Sequence, residues 1–348
     1  MTSTLVLIAN AGDATVSAFE LDAAASPASL RYLASNALPA PSSTFAVDAE
    51  ALRVYAGVKA TEEEPNRILT LALDPSTGEL TQESEVEVDA SVTYLALSPD
   101  RKSLLGASYG GGVGHVWPVT DGVVGTPTAS VEFPNLHCVV TSSDGCAYFV
   151  SLGADLVAQY RLGGGLLTPL DPPTVELPQG SGPRHLILNA AEDAAYLMTE
   201  FTGKAFRLAR ASDGTLTVEE EVAAYDTDAG LRQSVFGADP VEGHLVWGAD
   251  LHFARDERFL VCSERTESTL ATVALGEDGS FRGVLALAET EKQPRGFGVA
   301  PDGVHLVAVG EESTQASLYA VGDDGVLEQE GRVRTGAGAN WVRFVEVG

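Results

Sequence analysis

The sequence is poor in positive charge. Its 348 residues include only 21 lysines and arginines against 49 acidic residues, so the formal net charge is -28 at pH 7. Such a charge repels phosphate backbones and anionic headgroups, which argues against nucleic-acid and membrane partners. Nothing in the composition identifies a protein partner. Lysine is the scarcest charged residue, with only four in the chain: Lys59, Lys102, Lys204 and Lys292.

Long apolar stretches and cysteines are also scarce. No stretch reaches the roughly 18 apolar residues that a membrane-spanning helix needs. The N-terminal residues lack the basic region of a signal peptide and lead directly into a strand-like run. Three cysteines, Cys138, Cys146 and Cys262, form neither a disulfide framework nor a metal-ligand pattern. We therefore expect a reduced, cytoplasmic protein that needs no metal or other cofactor.

What the sequence does have is an internal repeat. Turn-like segments recur around Asp100, Asp144, Asp256 and Asp302, with weaker copies near Glu50 and Glu192. Asp100 and Asp144 are 44 residues apart, and Asp256 and Asp302 are 46 apart. Each copy has apolar runs on both sides of the turn, a third run after a short polar gap, and a fourth after a second turn. Four short strands in about 45 residues are typical of a β-propeller blade.

The two ends of the chain supply a further blade. Six copies are complete, residues 340–345 look like a lone first strand, and residues 4–8 and 15–19 look like second and third strands. Pairing the ends would close the ring and remove exposed sheet edges. The sequence therefore predicts an all-β fold, a seven-bladed β-propeller that forms a single domain over residues 1–348. Its closing blade would combine residues 338–348 with residues 3–38.

One spacing is longer than the rest. Glu192 and Asp256 are 64 residues apart, and the extra length lies between about Glu219 and Trp247. We interpret this as a loop inserted between blades. Loops on propeller faces often carry function.

Polar residues recur where the first strands begin and the second strands end, which is one mouth of the central channel. Counting seven residues back from each turn aligns Thr93, His137, His185, Ala249 and Arg295. The second strands end near Tyr109, Glu200, Arg265 and Glu311. Arg184, His185, Arg265 and Arg295 would then form a cationic pocket on an acidic protein, and arginine suits the capture of phosphate or carboxylate.

Several common catalytic motifs are absent. The glycines at 110–112 follow a strand but precede no helix, so they do not predict a phosphate loop. No serine lies in a Gly-x-Ser-x-Gly elbow. These absences exclude the usual nucleotide-binding and serine-hydrolase signatures.

The motifs at this mouth resemble a known family along essentially the whole chain. Segments 182–185, 293–297, 108–112, 249–252 and 264–266 are similar to those of the propeller-type 6-phosphogluconolactonases, a family that also includes carboxy-cis,cis-muconate cyclase. The chain departs from the family at Ser108, Ser151 and Glu264, where Asn, Asp and Asn are frequent. The resemblance implies a cytoplasmic hydrolase of 6-phospho-glucono-lactone in the pentose phosphate pathway. Its substrate would be a small anionic lactone.

The resemblance also implies the site residues. In the cyclase branch a His, two Arg and a Glu are proposed to act, and the matching positions are His137, Arg184, Arg265 and Glu200. We expect these four to be catalytic. Substrate-binding roles are predicted for five further residues: His185, Arg295, Tyr109, Asp250 and His252.

Opening a lactone needs an activated water and stabilisation of a developing oxyanion. Either His137 or Glu200 could be the base. We favour His137, since an ordinary histidine pKa of about 6.5 suits proton transfer near neutrality. A carboxylate among arginines should be the weaker base. Arg184 and Arg265 would polarise the carbonyl or hold the anionic group.

Two other functions stay open on the sequence. One is a carboxymuconate-type cycloisomerase or a lactonase for another sugar acid. The other is a non-catalytic propeller that binds a ligand or a protein, against which the ring of ionisable groups speaks. Acid release from fresh 6-phosphogluconolactone would discriminate between these possibilities.

Overall fold

The computed structural model describes residues 3–62 and 64–348. They form seven antiparallel sheets arranged as the blades of a propeller, with almost no helix. The prediction of a seven-bladed all-β propeller is confirmed. The predicted domain span of 1–348 includes Met1, Thr2 and Glu63, which lie outside the described residues, and that span stays a prediction.

The first three blades follow one another along the chain. Their strands are, for blade 1, β4 (Ser42–Asp48), β5 (Arg53–Val58), β6 (Arg67–Leu73) and β7 (Leu80–Glu87); for blade 2, β8 (Tyr94–Leu97), β9 (Ser103–Ser108), β10 (Val113–Thr120), β11 (Val123–Val124) and β12 (Ala129–Glu132); and for blade 3, β13 (Leu136–Thr141), β14 (Cys146–Ser151), β15 (Leu156–Gly163) and β16 (Leu166–Glu176).

Blades 4 to 6 repeat the pattern. Their strands are, for blade 4, β17 (Pro183–Leu188), β18 (Ala194–Thr199), β19 (Lys204–Arg210) and β20 (Leu216–Ala223); for blade 5, β21 (Gly248–Ala254), β22 (Phe259–Glu264), β23 (Thr269–Leu275) and β24 (Phe281–Glu289); and for blade 6, β25 (Gly296–Val299), β26 (His305–Val309), β27 (Gln315–Val321) and β28 (Leu327–Arg334).

Blade 7 joins the two ends of the chain. Its order is β29 (Ala339–Val347), β1 (Ser3–Asn10), β2 (Thr15–Asp22) and β3 (Ser29–Ala37). β1 pairs with β29 on one side and with β2 on the other, so the first strand of the chain is the second strand of the blade. The predicted closure by the two ends is confirmed, and it removes the free edges that an open ring would expose.

Apolar side chains hold neighbouring blades together. The described residues form seven buried clusters, and each cluster combines residues of two adjacent blades. Phe149 of blade 3, for example, packs with Leu105 of blade 2. The second strands are buried almost throughout, whereas the outermost strands alternate between half-buried and exposed. Sheets that pack on both faces need such continuous apolar runs.

The insertion lies between blades 4 and 5. Glu219 to Ala223 belong to β20, so the inserted segment is residues 224–247, slightly shorter than predicted. It contains the 3-10 helix η1 (Thr227–Ala229) and the short helix α1 (Pro240–Gly243). Ser234 N–H donates to the Phe201 carbonyl, and Thr266 Oγ1 donates to the Leu245 carbonyl. These bonds tie the segment to the channel mouth.

No helix within residues 3–62 and 64–348 has the length and apolar character to cross a membrane.

Candidate active site

A cavity of about 360 Å³ opens at the predicted mouth of the channel. This volume lies within the usual range for small-molecule sites. Blades 1 to 6 contribute to it, and its polar lining consists of Ser43, Lys59, Ser91, Thr93, Tyr109, His137, Arg184, Glu200, Arg265 and Arg295. The structure therefore brings together all four predicted catalytic residues, and with them Tyr109 and Arg295.

One repeat position in the first strands supplies half of this lining. Pairing of β13 with β14 skips His137, because Leu136 faces Ser151 and Cys138 faces Val150. The register skips Arg184 in β17 and Ser43 in β4 in the same way. A β-bulge of this kind re-aims the extra side chain. Thr93 and Arg295 occupy the same position in blades 2 and 6, just before their short first strands.

The second position is the first residue after each second strand. Lys59, Tyr109, Glu200 and Arg265 follow β5, β9, β18 and β22 directly. First and second strands are antiparallel, so these residues meet the bulge residues at one end of the sheet. Sequence reasoning missed Lys59 and Ser43, although both occupy these repeat positions in blade 1.

The turn-based alignment of His185 with His137 was wrong by one residue. Thr141 pairs with Ala147 across the turn of blade 3, six residues on, whereas Leu188 pairs with Ala195, seven residues on. Counting back through the longer turn shifts the register, and a one-residue shift reverses the face of a strand. Arg184 is the true counterpart of His137. In blade 5, where Gly248 pairs with Glu264 and Leu251 with Cys262, the same count gives Ala249, as the turn-based alignment predicted.

Glu200 lies between two arginines at the bottom of the cavity, and we call Arg184, Glu200 and Arg265 the charged floor. Arg184 Nε donates a hydrogen bond of 3.0 Å to Glu200 Oε2, and Arg265 Nη2 lies 3.0 Å from the same oxygen. Both arginines are buried, at 1% and 3% exposure. Burial alone would raise the pKa of Glu200, but Arg265, Arg184 and Arg295 outweigh it and the net pKa is lowered. Glu200 is therefore a carboxylate at neutral pH.

Arg265 is held by packing more than by hydrogen bonds. Its guanidinium stacks on the ring of Trp247, 3.7 Å from the ring centroid, at the end of the inserted segment. The Trp247 N–H and the Thr266 N–H both donate to Glu264, which fixes the backbone on either side. Within the described residues, Nε and Nη2 of Arg265 are buried and make no hydrogen bond of good geometry, although Nη2 lies 3.0 Å from Glu200 Oε2 as an ion pair. The side chain lines the cavity, so an oxygen bound there would meet its positive charge.

Arg295 has its own counter-ion. Its Nη1 donates to Glu311 Oε1 at 3.0 Å. Burial would raise the pKa of Glu311, but Arg295 and Arg265 lower it overall. This pair lies beside Arg184 and Arg265, at the edge of the part of the cavity lined by arginines.

Three predicted substrate-binding residues lie behind this floor. Among the described residues, the cavity lining does not include His185, Asp250 or His252. Arg184 Nη1 donates to the Ala249 carbonyl at 2.6 Å and lies 3.2 Å from His185 Nε2. His185 Nδ1 is 2.7 Å from Asp250 Oδ1, and His252 Nε2 is 3.3 Å from Asp250 Oδ2. The three therefore brace Arg184 from below.

The hydrogen bonds of His185 fix its tautomer. Arginine has no acceptor, so Nε2 must accept from Arg184 and the proton of the neutral ring must lie on Nδ1. Nδ1–H then donates to Asp250. Burial and the neighbouring Arg184 lower the pKa of His185 to about 4, against the opposing effect of Asp250. The ring is thus neutral at pH 7.

His137 is also neutral, for similar reasons. It is 4% exposed, and its ring meets Tyr109 edge-on at 5.9 Å and His185 at 5.1 Å. Burial, and then Arg184, His185 and the other arginines, hold the pKa of His137 well below 6.5. The pKa therefore lies below the ordinary histidine value of about 6.5, chiefly because the ring is buried. Within the described residues, Nδ1 of His137 has no hydrogen-bond partner.

A cavity of about 380 Å³ beside the inserted segment has Asp155 as its ionisable residue, and two larger cavities open at the opposite end of the blades. One, of about 520 Å³, lies among the turns of blades 2 and 3, and its ionisable residues are Asp100, Lys102 and Asp144. In the other, of about 740 Å³, the ionisable residues are mostly acidic and include the cations Arg207 and Arg258. Neither gathers buried cations, so the mouth cavity is the better candidate despite its smaller volume. Nowhere in 3–62 or 64–348 do three His, Cys, Asp or Glu side chains cluster as metal ligands.

Comparison with known proteins assigns the chain to a family. The model of a family described as lactonase, 7-bladed β-propeller, matches residues 6–344. The chain belongs to this family. A 6-phosphogluconolactonase of Sodalis glossinidius is 30% identical to it over 272 residues, which cover 76% of this chain and 78% of the relative. One of Klebsiella pneumoniae (strain 342) is 28% identical over 283 residues, 79% of this chain and 81% of the relative.

Solved structures agree with the family on the fold. The periplasmic gluconolactonase of Pseudomonas aeruginosa superposes with a TM-score of 0.87 at 24% identity, over 99% of both chains. A protein from Lactobacillus plantarum superposes with a TM-score of 0.84 at 21% identity, over 99% of this chain and 100% of the other. At these identities the likeness extends to the propeller architecture.

Proposed function

We propose that the protein hydrolyses 6-phospho-glucono-lactone to 6-phosphogluconate in the mouth cavity, as a step of the pentose phosphate pathway. The lactonase family and the relatives named 6-phosphogluconolactonase support the reaction class and the substrate. The cavity offers cations for an anionic substrate in a protein whose net charge is -28.

This proposal rests above all on Arg265, which lines the cavity and whose guanidinium plane is fixed by Trp247. Its Nε and Nη2 make no hydrogen bond of good geometry within the described residues, although Nη2 is ion-paired with Glu200. A lactone carbonyl oxygen bound at this guanidinium would supply an acceptor. The bond would strengthen as negative charge develops on that oxygen, which is how an oxyanion site accelerates acyl transfer. Nε and Nη1 of Arg184 already have hydrogen-bond partners, so Arg184 would stabilise the oxyanion through its positive charge rather than through hydrogen bonds.

His137 is the base we favour for the attacking water. A neutral imidazole in the cavity can take a proton from water as the water oxygen bonds to the carbonyl carbon. When the ring C–O bond breaks, the same proton passes from His137 to the leaving ring oxygen, which becomes a hydroxyl. The products are the free hydroxyl and the carboxylic acid, which ionises. No covalent intermediate on the enzyme is needed.

Glu200 acts in this scheme as a positioning residue. Its depressed pKa and its contacts with two guanidinium groups at one oxygen make it a poor proton acceptor. It holds Arg184 and Arg265 side by side and lowers the cost of burying two like charges. Glu200 as the base is the alternative to be tested.

We also propose the cytoplasm as the location and no nucleic-acid or membrane partner. The three cysteines are buried and unpaired, which suits a reducing compartment. The acidic surface supports the absence of anionic partners.

The experiment is turnover of freshly prepared 6-phospho-glucono-lactone by purified protein, followed as acid release and corrected for the buffer blank. We expect rates well above the blank that scale with enzyme concentration. The Arg265→Ala variant serves as the site control and should lose most of this activity. A wild-type rate equal to the blank would reject the proposal. Conversion of carboxy-cis,cis-muconate in its place would favour the cycloisomerase.

A further inference from the structure

The two sides of the cavity differ in chemistry. Blades 4 to 6 supply a guanidinium wall of Arg184, Arg265 and Arg295. Blades 1 and 2 supply a wall with hydroxyl groups and one ammonium group, formed by Ser43, Lys59, Ser91, Thr93 and Tyr109. We call this second side the hydroxyl wall. A substrate with one end at the guanidinium wall would have its other end near the hydroxyl wall.

The charges of the site do not balance. Four cations face or border it (Lys59 and the three arginines), and the carboxylates paired with them are Glu200 and Glu311. Four positive charges less the two paired carboxylates leave a formal charge of +2, and the buried Asp250 behind Arg184 lowers it to +1. A phosphate monoester carries about -1.5 to -2 charges at pH 7. The excess positive charge therefore favours an anionic group such as a phosphate.

Lys59 is the cation available for that group. Each of the three arginines lies within ion-pair distance of Glu200 or Glu311, whereas no described carboxylate pairs with Lys59. Its side chain is exposed at the rim, while Arg184 and Arg265 are buried. A dianion loses less hydration at the rim than at the buried floor, so its binding costs less there. Lysine and hydroxyl side chains are common ligands of phosphate.

The repeat also directs Lys59 into the cavity. It is the first residue after β5, the position that brings Tyr109, Glu200 and Arg265 to the mouth in other blades. Its backbone is fixed there by the bond from its N–H to the Pro41 carbonyl, 2.8 Å long. A lysine elsewhere on the acidic surface would have no such placement.

We propose that Lys59, with the hydroxyls of Ser43 and Ser91, forms the phosphate subsite that selects phosphorylated over unphosphorylated sugar lactones. This inference rests on the proposed function. It assigns the phosphate to the hydroxyl wall and the lactone carbonyl to the guanidinium wall.

Kinetics of Lys59→Gln test the subsite. The readout is the ratio of kcat/KM for 6-phospho-glucono-lactone to kcat/KM for glucono-lactone, both corrected for the blank. We expect this ratio to fall about 10- to 100-fold, the effect of one lost charge-assisted hydrogen bond, chiefly through KM of the phosphorylated lactone. Lys102→Gln is the matched control, since Lys102 is an exposed lysine at the opposite end of the blades. An unchanged ratio in Lys59→Gln would overturn the subsite.

Calorimetric binding of inorganic phosphate separates this idea from the proposed reaction. We expect the wild type and Lys102→Gln to bind phosphate and Lys59→Gln to bind it at least 10-fold more weakly. Equal binding by all three proteins, or none by the wild type, would contradict the subsite whatever the lactonase result. Lys59-dependent phosphate binding in a protein without lactonase activity would refute the reaction and leave the subsite standing.

Discussion

Arg184 Nε donates to Glu200 Oε2 across 3.0 Å, although the two residues are 16 positions apart, Arg184 in β17 and Glu200 directly after β18. Arg265 of blade 5 approaches the same oxygen. One carboxylate thus joins two blades at the mouth of the channel and compensates two buried cations. Much of the chemistry of the site depends on this shared contact.

Glu200→Gln should weaken both function and stability. The amide keeps the size of the side chain but leaves two guanidinium groups without a counter-ion, so the arginines should shift apart. We expect kcat/KM for the phosphorylated lactone to fall about 100-fold and the free energy of unfolding by up to about 3 kcal/mol. Steady-state kinetics and urea unfolding measure the two effects. Glu221→Gln, which removes the exposed partner of Lys204, is the matched control and should change neither.

The residual activity of Glu200→Gln also identifies the base. If Glu200 only positions the two arginines, the variant should keep a measurable rate, and its decline at low pH should be unchanged. Complete loss of turnover in a variant that remains folded would instead make Glu200 the proton acceptor.

His137 should control the pH dependence. Burial and nearby arginines hold its pKa well below 6.5, so the neutral, active form prevails at neutral pH and is lost only as pH falls through that lowered pKa. A profile of kcat/KM should be flat near pH 7 and decline in acid, with a midpoint below 6.5. His137→Ala should remove this acid limb and most of the rate. An unchanged profile in His137→Ala would exclude it as the base.

His185 should make the protein sensitive to acid. Its pKa is about 4 when folded and near 6.5 when unfolded, so between these values the unfolded chain binds more protons. The stability contributed by neutral His185 is present above pH 6.5 and is lost as pH falls towards 4, by on the order of 3 kcal/mol. His185→Gln should flatten this part of the stability curve in urea unfolding. Equal slopes for wild type and variant would show that other groups cause the acid sensitivity.

The N-terminal strands should be required for ring closure. Deleting residues 1–19 removes β1, which pairs with both β29 and β2, and would leave blade 7 with an open edge. We expect a melting temperature at least several degrees lower, or loss of a cooperative transition. A protein lacking only residues 1–2 is the control. If the longer deletion melts like the control, the closure is not needed for stability.

The fold could be predicted from sequence because each repeat can be recognised from turns and apolar runs that lie close together in the sequence. Turns near Asp100, Asp144 and Asp302 and the apolar runs around them mark each blade without knowledge of long-range contacts. Ring closure followed from the incomplete units at the two ends. The number of blades therefore did not depend on resolving any single side chain.

The site was harder to predict because it depends on register to one residue. The turn of blade 4 is one residue longer than that of blade 3, which concealed the equivalence of Arg184 and His137. The sequence alignment therefore placed His185 in the cavity, whereas it lies behind Arg184. The lowered pKa of His137 could not be predicted either, since it arises from burial and from cations of three other blades. Lys59 was missed because its blade has one of the two weaker copies of the turn. Its repeat position was the signal that could have found it.

The role of Arg265 is tested most directly by the turnover of 6-phospho-glucono-lactone by Arg265→Ala, compared with Arg265→Lys and the wild type. We expect kcat to fall by about 100- to 1,000-fold in Arg265→Ala, as for loss of an oxyanion donor, with a smaller change in KM. Arg265→Lys should recover only part of the rate, because an ammonium group cannot reproduce the planar pair of donors stacked on Trp247. A kcat near the wild-type value in a folded Arg265→Ala protein would show that Arg265 does not stabilise the transition state.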